Sequence, residues 1–404
     1  MIKRLDIFPA FDSLGRSTFT VKAASKDVSY SVTMPSRIFS GPNFPSNKNS
    51  SAAMKVFRDI KENFIGLDEA DWENIDTVIE QLGGTPGFPK TGANLAFAIS
   101  LACAGTANFL GPRNLKGPKG FVPVPMFSVA GGGCYGGEAE WREFFFIPHG
   151  IQNAADAASA CMEACAAAGE EFSAHGVLIG KNVRNAWAVR LGGGAALDIL
   201  SRVADDWKLG IGVDFGAQYL FSGRQYQDKF RGQDAWIEFV EELAARYKLM
   251  YIEDPVKNSG FPEMARLSAG LKGRCIVAGS DIFGGDPGKV EIAVETRACD
   301  CVSLTPPESG TLSRMFRAAR TAEKAGMKIT ASCSHAETGD AWLADLAVAM
   351  GAHFMKVGPA GSEMLTKVNR LIELEKEMPN VKMVKLQPAP AGRGFFNNTT
   401  PNVN

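Results

Sequence analysis

From about residue 209 to residue 377 the chain repeats one unit six times, a short apolar run followed by a stretch with apolar residues at helical spacing. The runs are "LGIGVD", "LMYIED", "CIVAGSD", "CVSLT", "KITAS" and "HFMKV", and the helical stretches lie near 235–248, 262–270, 287–297, 311–325, 338–351 and 362–377. In 235–248, Trp236, Phe239, Val240, Leu243 and Tyr247 share one helix face. Parallel strands cannot be joined by tight hairpins and need helical crossovers, which this rhythm supplies. Strands that are apolar throughout are buried on both faces. The expectation is an α/β fold with a closed barrel of the (β/α)8 type, and an open doubly wound sheet is the alternative. No GxGxxG follows a strand, which argues against the dinucleotide-binding form of that alternative.

Upstream the pattern differs. Residues 18–34, "TFTVKAASKDVSYSVTM", alternate around a short polar turn and predict a β-hairpin. Helical stretches follow at about 52–64 and 69–82, and "ANLAFAISLACAGTANFL" at 93–110 predicts a buried helix of small residues. The organisation expected is a small α+β domain over 1–118 ending in the linker "LGPRNLKGPKG", a barrel over 119–378, and an extended tail over 379–404. That tail is rich in Pro, Gly and Asn and carries Phe395 and Phe396, expected to dock on a partner protein.

Charge excludes some functions. Acids (44) and bases (43) nearly cancel, and neither a basic stripe for nucleic acid nor a long apolar span for a membrane is visible. The start "MIKRLDIFPAFDS" lacks an apolar signal region, so no secretory signal is expected. Eight cysteines at 103, 134, 161, 165, 275, 299, 301 and 333 form no CxxC, which suits reduced thiols in a cytoplasmic compartment. Cys161 and Cys165 lie one helical turn apart, but with no second pair they read as buried small side chains.

Active sites of such barrels gather where strands end. Three successive runs end in acids: Asp214, then Glu253 with Asp254, then Asp281. Three oxygen ligands from adjacent strand ends would suit Mg²⁺. The alternative reading makes the same acids caps of the helices that follow.

These and many other segments, in order, resemble enolase, the glycolytic lyase family that interconverts 2-phosphoglycerate and phosphoenolpyruvate. "FDSLGRSTFTV", "MPSRIFSG", "KTGANLAFAISLA", "VPVPMFSVAGGG", "EFFFIPHG", "IGVDFGAQYLF", "YIEDP", "ACDCVSL", "ADLAVAMGA" and "KVGPAGSEMLTKVNRL" carry the resemblance from about residue 5 to 377. It implies a small α+β domain before a modified barrel, a common homodimer, two Mg²⁺ ions, a lysine base, a glutamate acid and an Arg/His/Lys set around the substrate.

Residue by residue, the chain departs from that set. Asp214 and Glu253 match two of three metal carboxylates, but Ser280 stands at the third place with Asp281 beside it. The next residue on a strand points to the opposite face, so Asp281 is not expected simply to substitute at that place. Thr305 stands where the base lysine belongs, and Lys181 and Asn182 replace the acid loop. Cys333 and Ser334 replace the His–Arg pair, with His335 following as a local polar residue. Phe39 stands for a metal-binding serine, and Tyr135 lies near a histidine's place. Lys356 is the one cation of the set in register.

The expectation is therefore a catalytically inactive enolase-like protein: a structural or protein-interaction module in the cytoplasm, with a cytoskeletal assembly as one setting. No cofactor is expected, or a weak Mg²⁺ site at Asp214 and Glu253, with Asp281 as a further candidate. The alternative is a repurposed Mg-dependent lyase or isomerase, or residual phosphopyruvate hydratase activity.

Overall fold

The computed structural model describes residues 1–37, 44–110, 120–227, 229, 231–378 and 381–386. Phe39, Phe395, Phe396 and most of the linker and tail lie outside the described residues.

The N-terminal unit begins with an antiparallel sheet of β1 (Arg4–Phe11), β2 (Ser17–Ala24) and β3 (Ser29–Thr33). The alternation predicted a hairpin, and β2–β3 is that hairpin, with Val21 opposite Val32. Phe19, Val21 and Ala23 point from β2 into the core. Three helices cover the sheet: α1 (Ser50–Ile60), α2 (Trp72–Gly83) and α3 (Ala93–Thr106). Asn49 caps α1 by accepting from the Ala52 N–H at 2.9 Å. Every residue of α3 is buried. Its small side chains allow this, and Gly105 lies directly against the Tyr30 ring, where a side chain would clash.

Eight strands close a barrel: β4 (Val124–Gly131), β5 (Glu143–Pro148), β6 (Leu209–Asp214), β7 (Tyr251–Glu253), β8 (Ile276–Gly279), β9 (Cys301–Leu304), β10 (Lys328–Ala331) and β11 (Phe354–Val357). Pairing of β11 with β4, from Phe354–Val124 to Val357–Phe127, completes the ring and removes the open-sheet alternative. β5 runs antiparallel to both β4 and β6, and all other neighbours around the ring are parallel.

The outer layer comprises α4 (Ala154–Ala174), α5 (Gly193–Trp207), α6 (Gln233–Arg246), α7 (Phe261–Leu271), α8 (Pro287–Thr296), α9 (Leu312–Lys324), α10 (Trp342–Ala349) and α11 (Ser362–Glu377). The buried face of α6 is Trp236, Ile237, Val240, Leu243 and Ala244. Phe239 and Tyr247, placed on that face by spacing, sit half-buried at its margins.

Residues 381–386, read from sequence as part of a tail, return to the barrel. Lys382–Met383 pairs with Phe121–Val122, and Met383 and Leu386 are buried. The N-terminal unit seats on the barrel through Ser313 N–H to Asp76 at 2.7 Å, Leu312 N–H to Ser100 at 3.0 Å and Thr33 N–H to Asp340 at 2.7 Å. Among the described residues no helix is long and apolar enough to cross a membrane.

Candidate functional site

The barrel mouth holds the acids that the sequence singled out. Asp214 ends β6 and Glu253 ends β7, and pairing sets these two side by side. Because β5 is reversed, its first residue, Glu143, lies opposite Asp214 at this same mouth. Lys356 on β11 reaches across the barrel, with Nζ 2.6 Å from Glu253, 3.2 Å from Asp214 and 3.9 Å from Glu143.

The residue before Glu143 completes the cluster. Arg142 donates from Nε and Nη2 to the two oxygens of Asp214 at 2.9 and 2.8 Å. Nη2 also reaches Asp254, and Nη1 reaches Asp281, both at 2.7 Å. One buried guanidinium thus meets three carboxylates from three successive strand ends. Gly216 makes room for it, since a side chain there would crowd Arg142.

Asp281 is therefore part of the cluster, which corrects the expectation that it faces away. β8 stops at Gly279, so Asp281 belongs to a turn and strand alternation does not govern it. Asp254 likewise lies past the end of β7, with φ 44 in the left-handed region. That backbone lets one carboxylate accept from the N–H groups of Ser280 at 2.8 Å and Asp281 at 3.1 Å.

Burial and charge divide these acids. Burial pushes the Glu253 carboxyl up to about 7, with Asp214 and Asp254 adding to the push and Lys356 opposing it. Burial, then the neighbouring Asp281, pushes Asp254 up to about 7. Asp281 rises to about 6, again through burial, against the pull of Arg142. Asp214 is buried too, yet Arg142 and Lys356 together outweigh that and hold it below the usual carboxylate range. Burial works against the charge on Lys356, but Glu253 and Asp214 more than offset it and keep the amine protonated.

A second buried guanidinium forms the opposite wall. Arg184 donates to Glu143 at 3.2 Å, to Cys333 Sγ at 2.8 Å and to the Ser334 carbonyl. Tyr135 packs beneath it and edge-on to the His335 ring, 5.5 Å between centroids. Burial and the surrounding cations push His335 well below the ordinary histidine value, so the ring is neutral.

Thr305 follows β9 and lines the pocket, as do Cys333, Ser334 and Lys356. Asn182 instead folds its own turn, accepting from Arg184 N–H at 2.9 Å and Ala186 N–H at 3.1 Å. Lys181 lies over the Trp187 ring. The pocket has about 540 Å³ of empty volume, open solvent included.

A scan against family models matches residues 119–387 to "Enolase, C-terminal TIM barrel domain". Enolase of Archaeoglobus fulgidus is 31% identical over 93% of this chain and 97% of that protein. Enolase of Methanocorpusculum labreanum is 31% identical over 77% of this chain and 82% of its own length. Enolase of Picrophilus torridus is 27% identical over 93% and 99%.

The chain belongs to the enolase family.

Enolase chemistry rests on Mg²⁺, so the fit of that ion can be tested against the site. One oxygen each from Asp214, Glu253 and Asp254 lie within 4.8 Å of one another, a spacing that could surround a cation. Mg²⁺ needs free oxygen lone pairs at about 2.0–2.1 Å in octahedral array. Here both Asp214 oxygens receive Arg142, both Asp254 oxygens receive N–H donors, and Glu253 receives Lys356 and the Tyr251 hydroxyl at 2.5 Å. As arranged, these three carboxylates fit a guanidinium and an ammonium rather than an octahedral ion.

Arg142 and Arg184 are the site residues that the strand-end reading missed. The available signal was the short connection between Gly131 and Glu143. It is too short for a helical crossover, so it implies a reversed strand that begins at the mouth.

Proposed function

We propose that this enolase-family chain does not dehydrate 2-phosphoglycerate and serves as a folded module that binds other proteins. The observation that carries this reading is Thr305 at the end of β9, where the resemblance calls for a lysine base. Threonine cannot take a proton from the carbon beside a carboxylate at neutral pH. The neighbouring nitrogen groups do not replace it. Lys356 is held protonated between Glu253 and Asp214, and His335 is too weak a base. Losing a general acid or base typically lowers rate by about 10²–10⁴ each.

An assay of phosphoenolpyruvate formation from 2-phosphoglycerate with saturating Mg²⁺ tests this. No turnover is expected; a rate within about a hundredfold of ordinary enolases would defeat the reading. For the binding role, pull-downs with and without residues 387–404, a truncation that spares the paired Lys382–Met383 and the buried Leu386, should lose partners when those residues are removed while the barrel stays folded. The eight unpaired cysteines support a reducing compartment.

One observation favours a second reading. Glu253 and Asp254, pushed up to about 7, are poised for proton transfer at neutral pH. They would suit a lyase or isomerase acting on a different carboxylic acid. Solvent deuterium entering C2 of candidate acids, followed by NMR, separates this reading from the first.

A further inference from the structure

Apart from any question of turnover, we infer that Arg142 is the resident cation of this barrel mouth, a side chain that takes Asp214 and Asp254, two of the three acids whose oxygens lie close enough to surround a divalent ion. The guanidinium is buried and spends its Nε, Nη1 and Nη2 groups on Asp214, Asp254 and Asp281. Carboxylates from three strand ends converge on it, as they would on a metal. The surroundings are built to receive it. Gly216, at φ 54, leaves space beside the Arg142 side chain, and Asp254 takes the uncommon left-handed backbone that turns its carboxylate inward.

An arginine cannot shed its proton to admit a second cation. A divalent ion entering this cluster would lie against a guanidinium and compete for oxygens that already accept hydrogen bonds. Lys356 closes the remaining side by holding Glu253 and Asp214. The ion is excluded by occupancy, and the acids serve as partners of the arginine.

The test uses the full chain and Mn²⁺ as a spectroscopic stand-in for Mg²⁺. Electron paramagnetic resonance of Mn²⁺ titrated with wild-type protein should report only free ion through millimolar concentrations, and EDTA should leave the melting temperature unmoved. In Arg142→Ser the carboxylates lose their partner. Bound Mn²⁺ should then appear, with affinity at least about tenfold above wild type and a melting temperature that rises with the ion. Saturable, stoichiometric Mn²⁺ binding by the wild type overturns the inference, as does a folded Arg142→Ser that gains none. Should Arg142→Ser not fold even with Mn²⁺, the wild-type titration decides alone. Metal binding without 2-phosphoglycerate turnover would remove this inference and leave the inactive-module reading intact. Turnover without metal binding would do the reverse.

Discussion

Arg142 and Asp214 form a two-pronged ion pair, Nε to Oδ2 at 2.9 Å and Nη2 to Oδ1 at 2.8 Å, inside the mouth of the barrel. The pair joins the one reversed strand, β5, to the first strand of the parallel run. Through Asp254 and Asp281 the same side chain reaches the next two strand ends, so four consecutive staves meet at one charge.

Arg142→Met keeps most of the volume and removes that charge. Leaving buried carboxylates without a partner should cost about 3–5 kcal/mol in urea unfolding near neutral pH. The abandoned acids can regain neutrality by taking protons, so the deficit should shrink at about pH 5. A variant as stable as the parent near neutrality would contradict this account.

The wild-type protein should be more stable on the acidic side of neutral. Glu253 and Asp254 titrate at about 7 and Asp281 at about 6 in the folded chain, above their ordinary values of 4.5 and 3.8. The folded state therefore binds more protons than the unfolded one across that interval, and stability rises as pH falls through it. Asp214 has the opposite sign, since its lowered pKa withdraws stability only at more acidic pH. Melting temperature should climb from about pH 8 to about pH 5. A steady fall over that range would count against the burial of these groups.

Gly310→Ala should weaken the seat of the N-terminal unit on the barrel. Gly310 has φ 77, and a methyl there would overlap the Phe88 ring. Left-handed strain and overpacking together should cost about 2–4 kcal/mol, read by urea unfolding.

Thiol titration with an aromatic disulfide should find at most one reactive cysteine in the native protein. Seven of the eight are buried, and Cys134 is half-buried with its thiol pushed up to about 12, chiefly by burial. All eight should react after denaturation.

On the proposed reading, Thr305→Lys alone should not produce phosphoenolpyruvate above background. Restoring an amine leaves the acid loop and most substrate-facing cations replaced, and a missing acid alone costs about 10²–10⁴ in rate. Ultraviolet absorbance of the product measures this directly.

The barrel was legible because fully buried parallel strands leave apolar runs separated by amphipathic crossovers. Asp214 and Glu253 were legible for the same reason, since each closes such a run. Arg142 was not, because "WREFFFIP" reads alike in either direction and only the pairing of β5 puts its beginning at the mouth. Asp281 was misread where alternation was extended two residues past the last paired position of β8, Gly279. Arg184 lies in the same "GKNVRN" segment as Asn182. Spacing favoured the position that matched the family, whereas the fold brings the arginine two residues on to the pocket wall.

A counter-ion carried on the polypeptide has an effective concentration set by covalent attachment, independent of the surrounding electrolyte. With Arg142 between its strand ends, the neutralising charge arrives with translation itself. On that inference, the mouth of this barrel would assemble without drawing a divalent ion from its surroundings.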